Sequence, residues 1–185
     1  ATEYHFAARV LDAGAMGVMV PMVNDAEQAG RLADFCRYPP TGKRGAGFGA
    51  AHDDYRVDGD VADKMTRAND RTLIIAQIES AEGARNARQI AAVDGVDVLW
   101  IGHFDLANSL GIPGQFDRPE YLSAQDAVRD ACEAEGKALG RLATTAEEAG
   151  RLLEYGYRIL AVGLDTDLYR RGLSRELSGA RELLL

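Results

Sequence analysis

Cysteine is scarce: the 185 residues include two, Cys36 and Cys132. Both fall in stretches that read as helices, and they form no C-x-x-C pair. Neither a disulfide framework nor a cysteine zinc site is expected, so a reducing, cytoplasmic setting is the default. Positive charge is short as well. Lys and Arg number 21 against 29 Asp and Glu, for a net charge of −8. Nucleic acid and anionic membrane both demand clustered Lys and Arg, so neither is expected as a partner. No apolar run is long enough to cross a bilayer, and no basic-then-apolar signal stands at the start. Internal repeats and low-complexity segments are absent. So are the G-x-x-x-x-G-K-[ST] loop, the G-x-S-x-G elbow and any dinucleotide fingerprint after a strand, which leaves nucleotide binding and covalent hydrolysis without support.

What is present is an ordinary globular composition, 46% hydrophobic and 27% charged. The length suits one domain, residues 1–185, with a real core. The chain opens on Ala1-Thr2-Glu3, without Met, and runs directly into an amphipathic segment. It reads as part of something longer.

Short apolar runs alternate with helical patterns. Strands are predicted at Gly17–Val20, Thr72–Gln77, Val96–Ile101, Ala138–Leu142 and Arg158–Val162, each continuous enough to be buried on both faces. Helices are predicted at Tyr4–Ala13, ending on Gly14; from an Asn24 cap to about Cys36; at Ser80–Ala92, with Ser80 as cap; and at Pro119–Glu135, Thr145–Tyr155 and Asp167–Leu184. Residues 106–110 suit a short helix. Such alternation means a parallel sheet with helices outside it, either doubly wound or part of a barrel. Arg37–Tyr55, rich in Gly and Pro, is the longest irregular stretch.

In parallel α/β folds the site is built from the loops after the strands. The strand from Thr72 delivers Gln77, Ile78 and Glu79; the next delivers Gly102, His103, Phe104 and Asp105. Neighbouring strands lie about 4.8 Å apart, so Glu79 and Asp105 can converge. Two converging carboxylates repel unless a cation or proton lies between them. A hard divalent ion fits an oxygen-only pair, leaving positions for a chelating 2-oxo acid. Gln77 shares a face with Glu79 by the strand period of two. Spacing alone equally allows both carboxylates to be helix caps or surface ion-pair members. Gly42-Lys43-Arg44-Gly45 reads as an anion cradle or, more simply, a flexible surface loop. His5 is expected at the surface and His52 in a solvated loop. His103 sits at the mouth, as an acid–base candidate or a packed side chain. Asp165 and Asp167 read as charges at a helix start.

Pro21-Met22-Val23, Arg37 to Gly45 (RYPPTGKRG), Gln77-Ile78-Glu79, Gly102-His103-Phe104-Asp105-Leu106, Leu110-Gly111 and Ala161 to Thr166 (AVGLDT) together resemble the HpcH/HpaI aldolase family. The resemblance implies a (β/α)8 TIM barrel, here lacking its first three βα units. It implies a lyase that cleaves 4-hydroxy-2-oxo acids, of the 2-dehydro-3-deoxyglucarate or 4-hydroxy-2-oxoheptanedioate type, to pyruvate and an aldehyde. The cofactor implied is Mg2+, Mn2+ or Co2+, with Glu79 and Asp105 as ligands. Gln77 and the backbone N–H groups of Phe104 and Asp105 would contact pyruvate. A homo-oligomer, usually a hexamer, is implied, with the last helix packing on a neighbour. Pro is common in the family where His103 stands, so no role carries over to it. The family's general-base His, its Asp partner and its carboxylate-binding Arg have no counterpart here and belong to strands expected before Ala1. A chain without them is expected to be a poor enzyme with a raw sheet edge. Two other readings stay open: an acyl-CoA lyase of the citrate lyase β-subunit or malyl-CoA type, and a non-catalytic fragment.

Overall fold

A computed structural model describes residues 4–183. Leu184, the expected end of the last helix, lies outside them, as do Ala1, Thr2 and Glu3. The chain forms two compact units that divide between Gly140 and Arg141.

The first unit opens with α1 (Tyr4–Asp12), β1 (Gly17–Val20) and α2 (Ala26–Cys36). A long tethered loop with one 3-10 turn at Ala51–Asp53 leads to α3 (Val61–Arg71). Then come β2 (Leu73–Ile78), α4 (Ala81–Arg85), α5 (Ala87–Ala91), β3 (Val98–Ile101), α6 (His103–Ser109) and α7 (Pro119–Glu135). β4 (Ala138–Ala143) crosses the division; α8 (Ala146–Tyr155), β5 (Ile159–Val162) and α9 (Asp165–Glu182) complete the second unit.

In the first unit the strands follow one another in the sheet as β1-β2-β3, and in the second β4 neighbours β5. β1 and β2 are parallel with Val18 against Ile74, and β2 and β3 are parallel with Ile78 against Ile101. A doubly wound sheet reverses its strand order at a switch point; an unreversed sequential order is the winding of barrel folds.

Apolar periodicity explains the first unit's core. β3 is buried at all four positions, whereas β2 buries Ile74, Ala76 and Ile78 on alternate positions. α2 covers the sheet with Ala29, Leu32, Ala33 and Cys36, an i, i+3, i+4, i+7 stripe. α7 covers it with Tyr121, Gln125, Val128, Ala131 and Cys132. Burial pushes the Cys36 thiol up to about 11 and the Cys132 thiol up to about 12. Both are packing residues.

Three expectations need correction. The cap of α2 is Asp25, whose carboxylate accepts from Gln28 N at 2.7 Å; Asn24 is used elsewhere. The helix expected over Ser80–Ala92 is broken at Asn86, whose side-chain amide donates to Asn24 O at 2.8 Å instead of facing solvent. α3 was not anticipated, because its buried positions are Lys64 and Ala68 rather than an apolar stripe.

Candidate active site

The ends of β2 and β3 meet as their spacing requires. Gly102 N donates to Ile78 O at 3.0 Å, which brings Glu79 beside the start of the β3–α6 turn. Glu79 is 5% exposed. Its Oε1 accepts from the backbone N–H of Met22 at 2.9 Å, and its Oε2 accepts from Gln77 Nε2 at 2.6 Å. Gln77 and Glu79 thus share a face, as the strand period demands. A Cβ on Gly102 would lie 2.6 Å from Glu79 Oε2 and 2.9 Å from Gln77 Nε2, so glycine leaves the space the carboxylate fills.

Met22 makes its contact from a left-handed conformation, φ 58°. For a side chain other than glycine this costs on the order of 1 kcal/mol or more. Neither the Met22 N–H nor the Gly102 space is legible in sequence. The nearest signal is the strand-end run Pro21-Met22-Val23 itself.

Asp105 stands in the first turn of α6, exposed, with Asn108 Nδ2 at 3.5 Å from its Oδ1. No side chain caps α6 among the described residues, and its first intrahelical bond is Leu106 N to Gly102 O. The N–H groups of Phe104 and Asp105 therefore precede the helical ladder. Phe104 is 56% exposed and edge-on to Phe116.

Glu79 and Asp105 are the side chains here that could hold a divalent ion. Among the described residues no Lys or Arg pairs with Glu79, so a nearly buried carboxylate has no protein cation against it. Burying such a charge is costly unless a cation reaches it. No group of three or more His, Cys, Asp or Glu suited to a metal occurs among the described residues. Two carboxylates with water and substrate completing the shell is the pattern of Mg2+-type sites.

Comparison with known proteins settles the family. Residues 1–172 match the family described as HpcH/HpaI aldolase/citrate lyase. The chain belongs to the HpcH/HpaI aldolase family. It is 39% identical over 170 residues to a hydroxypyruvate/pyruvate aldolase of Chromohalobacter salexigens, covering 92% of this chain and 66% of that protein. It is also 39% identical to a 2-keto-3-deoxy-L-rhamnonate aldolase of Klebsiella pneumoniae, covering 92% of this chain and 63% of that one. The crystal structure of an HpcH/HpaI aldolase from Desulfitobacterium hafniense superposes with a TM-score of 0.89 at 30% identity, covering 97% of this chain and 69% of the other. The chain thus spans somewhat less than two thirds of these curated family members.

The other residues singled out in this HpcH/HpaI chain are placed as follows by the fold. The Gly42–Gly49 loop is tethered at Arg44, which is 4% exposed, bonded to Asp12 Oδ1 at 2.7 Å and stacked 4.7 Å over the Tyr38 ring. Lys43 pairs with Asp34. Both cations are paired with carboxylates. His52 is buried, not solvated, with Nε2 3.4 Å from Tyr38 Oη and its ring against Phe48. His5 is exposed as expected. His103 is buried and packed against Phe104 and Phe116. Asp165 and Asp167 lie in the first turn of α9, and hydrogen bonding from Arg170 holds the Asp167 carboxyl below its usual range.

Proposed function

We propose that this chain is part of a metal-dependent pyruvate aldolase, cleaving a 4-hydroxy-2-oxo acid reversibly to pyruvate and an aldehyde. The observation that carries the reading is Glu79: a buried carboxylate oriented by two N–H donors, with no Lys or Arg paired to it among the described residues, at the strand ends where α/β enzymes hold substrate. Family membership and the names of the aldolase relatives support it.

Glu79 and Asp105 would hold Mg2+, Mn2+ or Co2+, which when bound supplies Lewis-acid stabilisation of developing negative charge. Gln77 spends one N–H on Glu79 and keeps amide groups for the 2-oxo acid. The N–H groups of Phe104 and Asp105 would receive its carboxylate at the start of α6. Gly102 leaves the space between them clear. In the reaction a base takes the 4-hydroxyl proton, the C3–C4 bond breaks, C4 becomes the aldehyde carbon, and protonation at C3 gives pyruvate. No residue of this chain is assigned as that base. Fixed donors aimed at the developing enolate provide the largest part of such catalysis.

Copies of the chain are inferred to associate through α9, which buries no residue and exposes Leu168, Tyr169, Leu173 and Leu177. No helix among the described residues is long and apolar enough to cross a membrane.

The test is calorimetric titration of Mn2+ with and without oxamate, an unreactive pyruvate mimic. Binding that oxamate strengthens, and that Glu79→Gln and Asp105→Asn each abolish, is the expected result. Equal binding by the parent and Glu79→Gln would refute the assignment.

A further inference from the structure

We infer that Asn24 is a positioning residue for Glu79, acting through the backbone N–H of Met22; the inference rests on the metal-site reading of Glu79. Met22 holds φ 58° in the turn between β1 and α2, and this conformation aims its N–H at Glu79 Oε1, 2.9 Å away. A left-handed residue other than glycine persists only where its surroundings over-determine it.

The surroundings that do so converge on the two residues after Met22. Val23 N donates to Gln77 O at 3.1 Å. Asn24 N donates to Gln28 Oε1 at 2.9 Å, and Asn24 O accepts from Asn86 Nδ2 at 2.8 Å. Asn24 Oδ1 accepts from the Ser80 hydroxyl at 2.5 Å. Ser80 Oγ also accepts from Gly83 N at 2.9 Å, so its single O–H is directed to Asn24. A Cβ on Gly83 would lie 2.8 Å from Val23 O, which shows how closely the start of α4 lies against this turn.

Asn24 therefore ties the β1 turn to the segment immediately after Glu79. Its side chain touches neither the carboxylate nor any substrate position. It fixes where the Met22 N–H stands, and the N–H fixes the carboxylate. Without the Ser80–Asn24 bond the turn keeps the Gln28 and Asn86 contacts to the Asn24 backbone but loses the tie made by Asn24's own side chain, and the left-handed Met22 that aims the N–H is less firmly held.

The experiment is Mn2+ titration, without substrate, into the parent chain, Asn24→Ala, Asn24→Asp, Ser80→Ala and Glu79→Gln, with thermal unfolding of each metal-free protein. Asn24→Ala and Ser80→Ala should bind Mn2+ roughly 10- to 100-fold more weakly, the usual effect of losing a partner behind a ligand. Asn24→Asp keeps an oxygen acceptor for Ser80 and should recover most of the affinity. A merely structural role would lower the unfolding temperature and leave the affinity unchanged. Parent-like Mn2+ affinity in folded Asn24→Ala or Ser80→Ala, with binding lost in Glu79→Gln, would overturn the positioning role alone. Binding that Glu79→Gln does not alter, or no binding by the parent, would overturn the site reading and this inference with it.

Discussion

Gly102 shows how little space the Glu79 carboxylate leaves beside it. A methyl group there would sit 2.6 Å from Glu79 Oε2 and 2.8 Å from Glu79 Cβ, closer than non-bonded atoms allow. Gly102→Ala should lower stability by about 1–3 kcal/mol through overpacking and weaken Mn2+ binding together. Chemical denaturation and calorimetry on the same sample check both. The cysteines make the opposite case. Thiols raised to about 11 and about 12 carry almost no thiolate at neutral pH. The folded chain should react very slowly with Ellman's reagent at pH 7, and both thiols should become reactive on denaturation.

Among the elements, α3 depends on a charge pair as much as on packing. Lys64 Nζ donates to Asp53 Oδ2 at 2.7 Å and to Arg56 O at 2.7 Å, tying the helix to the loop before it. The hydrogen bond from Lys64 holds the Asp53 carboxyl below its usual value. A carboxyl lowered on folding stabilises the folded state above its unfolded pKa, about 3.9, and that contribution is lost as pH falls through the lower folded value. Asp53→Asn should therefore lower the melting temperature near pH 7, and the gap from the parent should close in acid. Thermal unfolding across pH measures it. The α4–α5 break is a second element-scale feature. Asn86 leaves helical geometry at φ −94°, ψ 5°, and its side chain is spent on Asn24 O.

For the whole molecule, association should depend on α9. Tyr169, Leu173 and Leu177 recur every fourth residue, share one face and remain exposed, which is the pattern of an unfilled packing surface. Replacing both Leu173 and Leu177 by Glu should reduce the assembly to smaller species, read by light scattering, while the fold of the first unit persists by circular dichroism. An unchanged mass would exclude α9 as the contact.

Strand and helix periods are local, so the five strands, most helix bounds and the helical placement of both cysteines were legible without coordinates. That Gln77 and Glu79 share a face followed from the strand period alone, though the hydrogen bond between them did not, and the strand ends carrying Glu79 and Asp105 could be placed side by side. Tertiary structure decided what depends on partners distant in sequence. Asp25 rather than Asn24 caps α2, because Asn24 is held by Ser80 and Asn86 across 56 and 62 positions. His52 and Arg44 are buried, because the long loop folds back on Tyr38, Asp12 and Phe48. The N–H that orients Glu79 belongs to a methionine 57 residues away in a conformation its side chain disfavours. A backbone donor has no residue signature, so only the folded chain could reveal it.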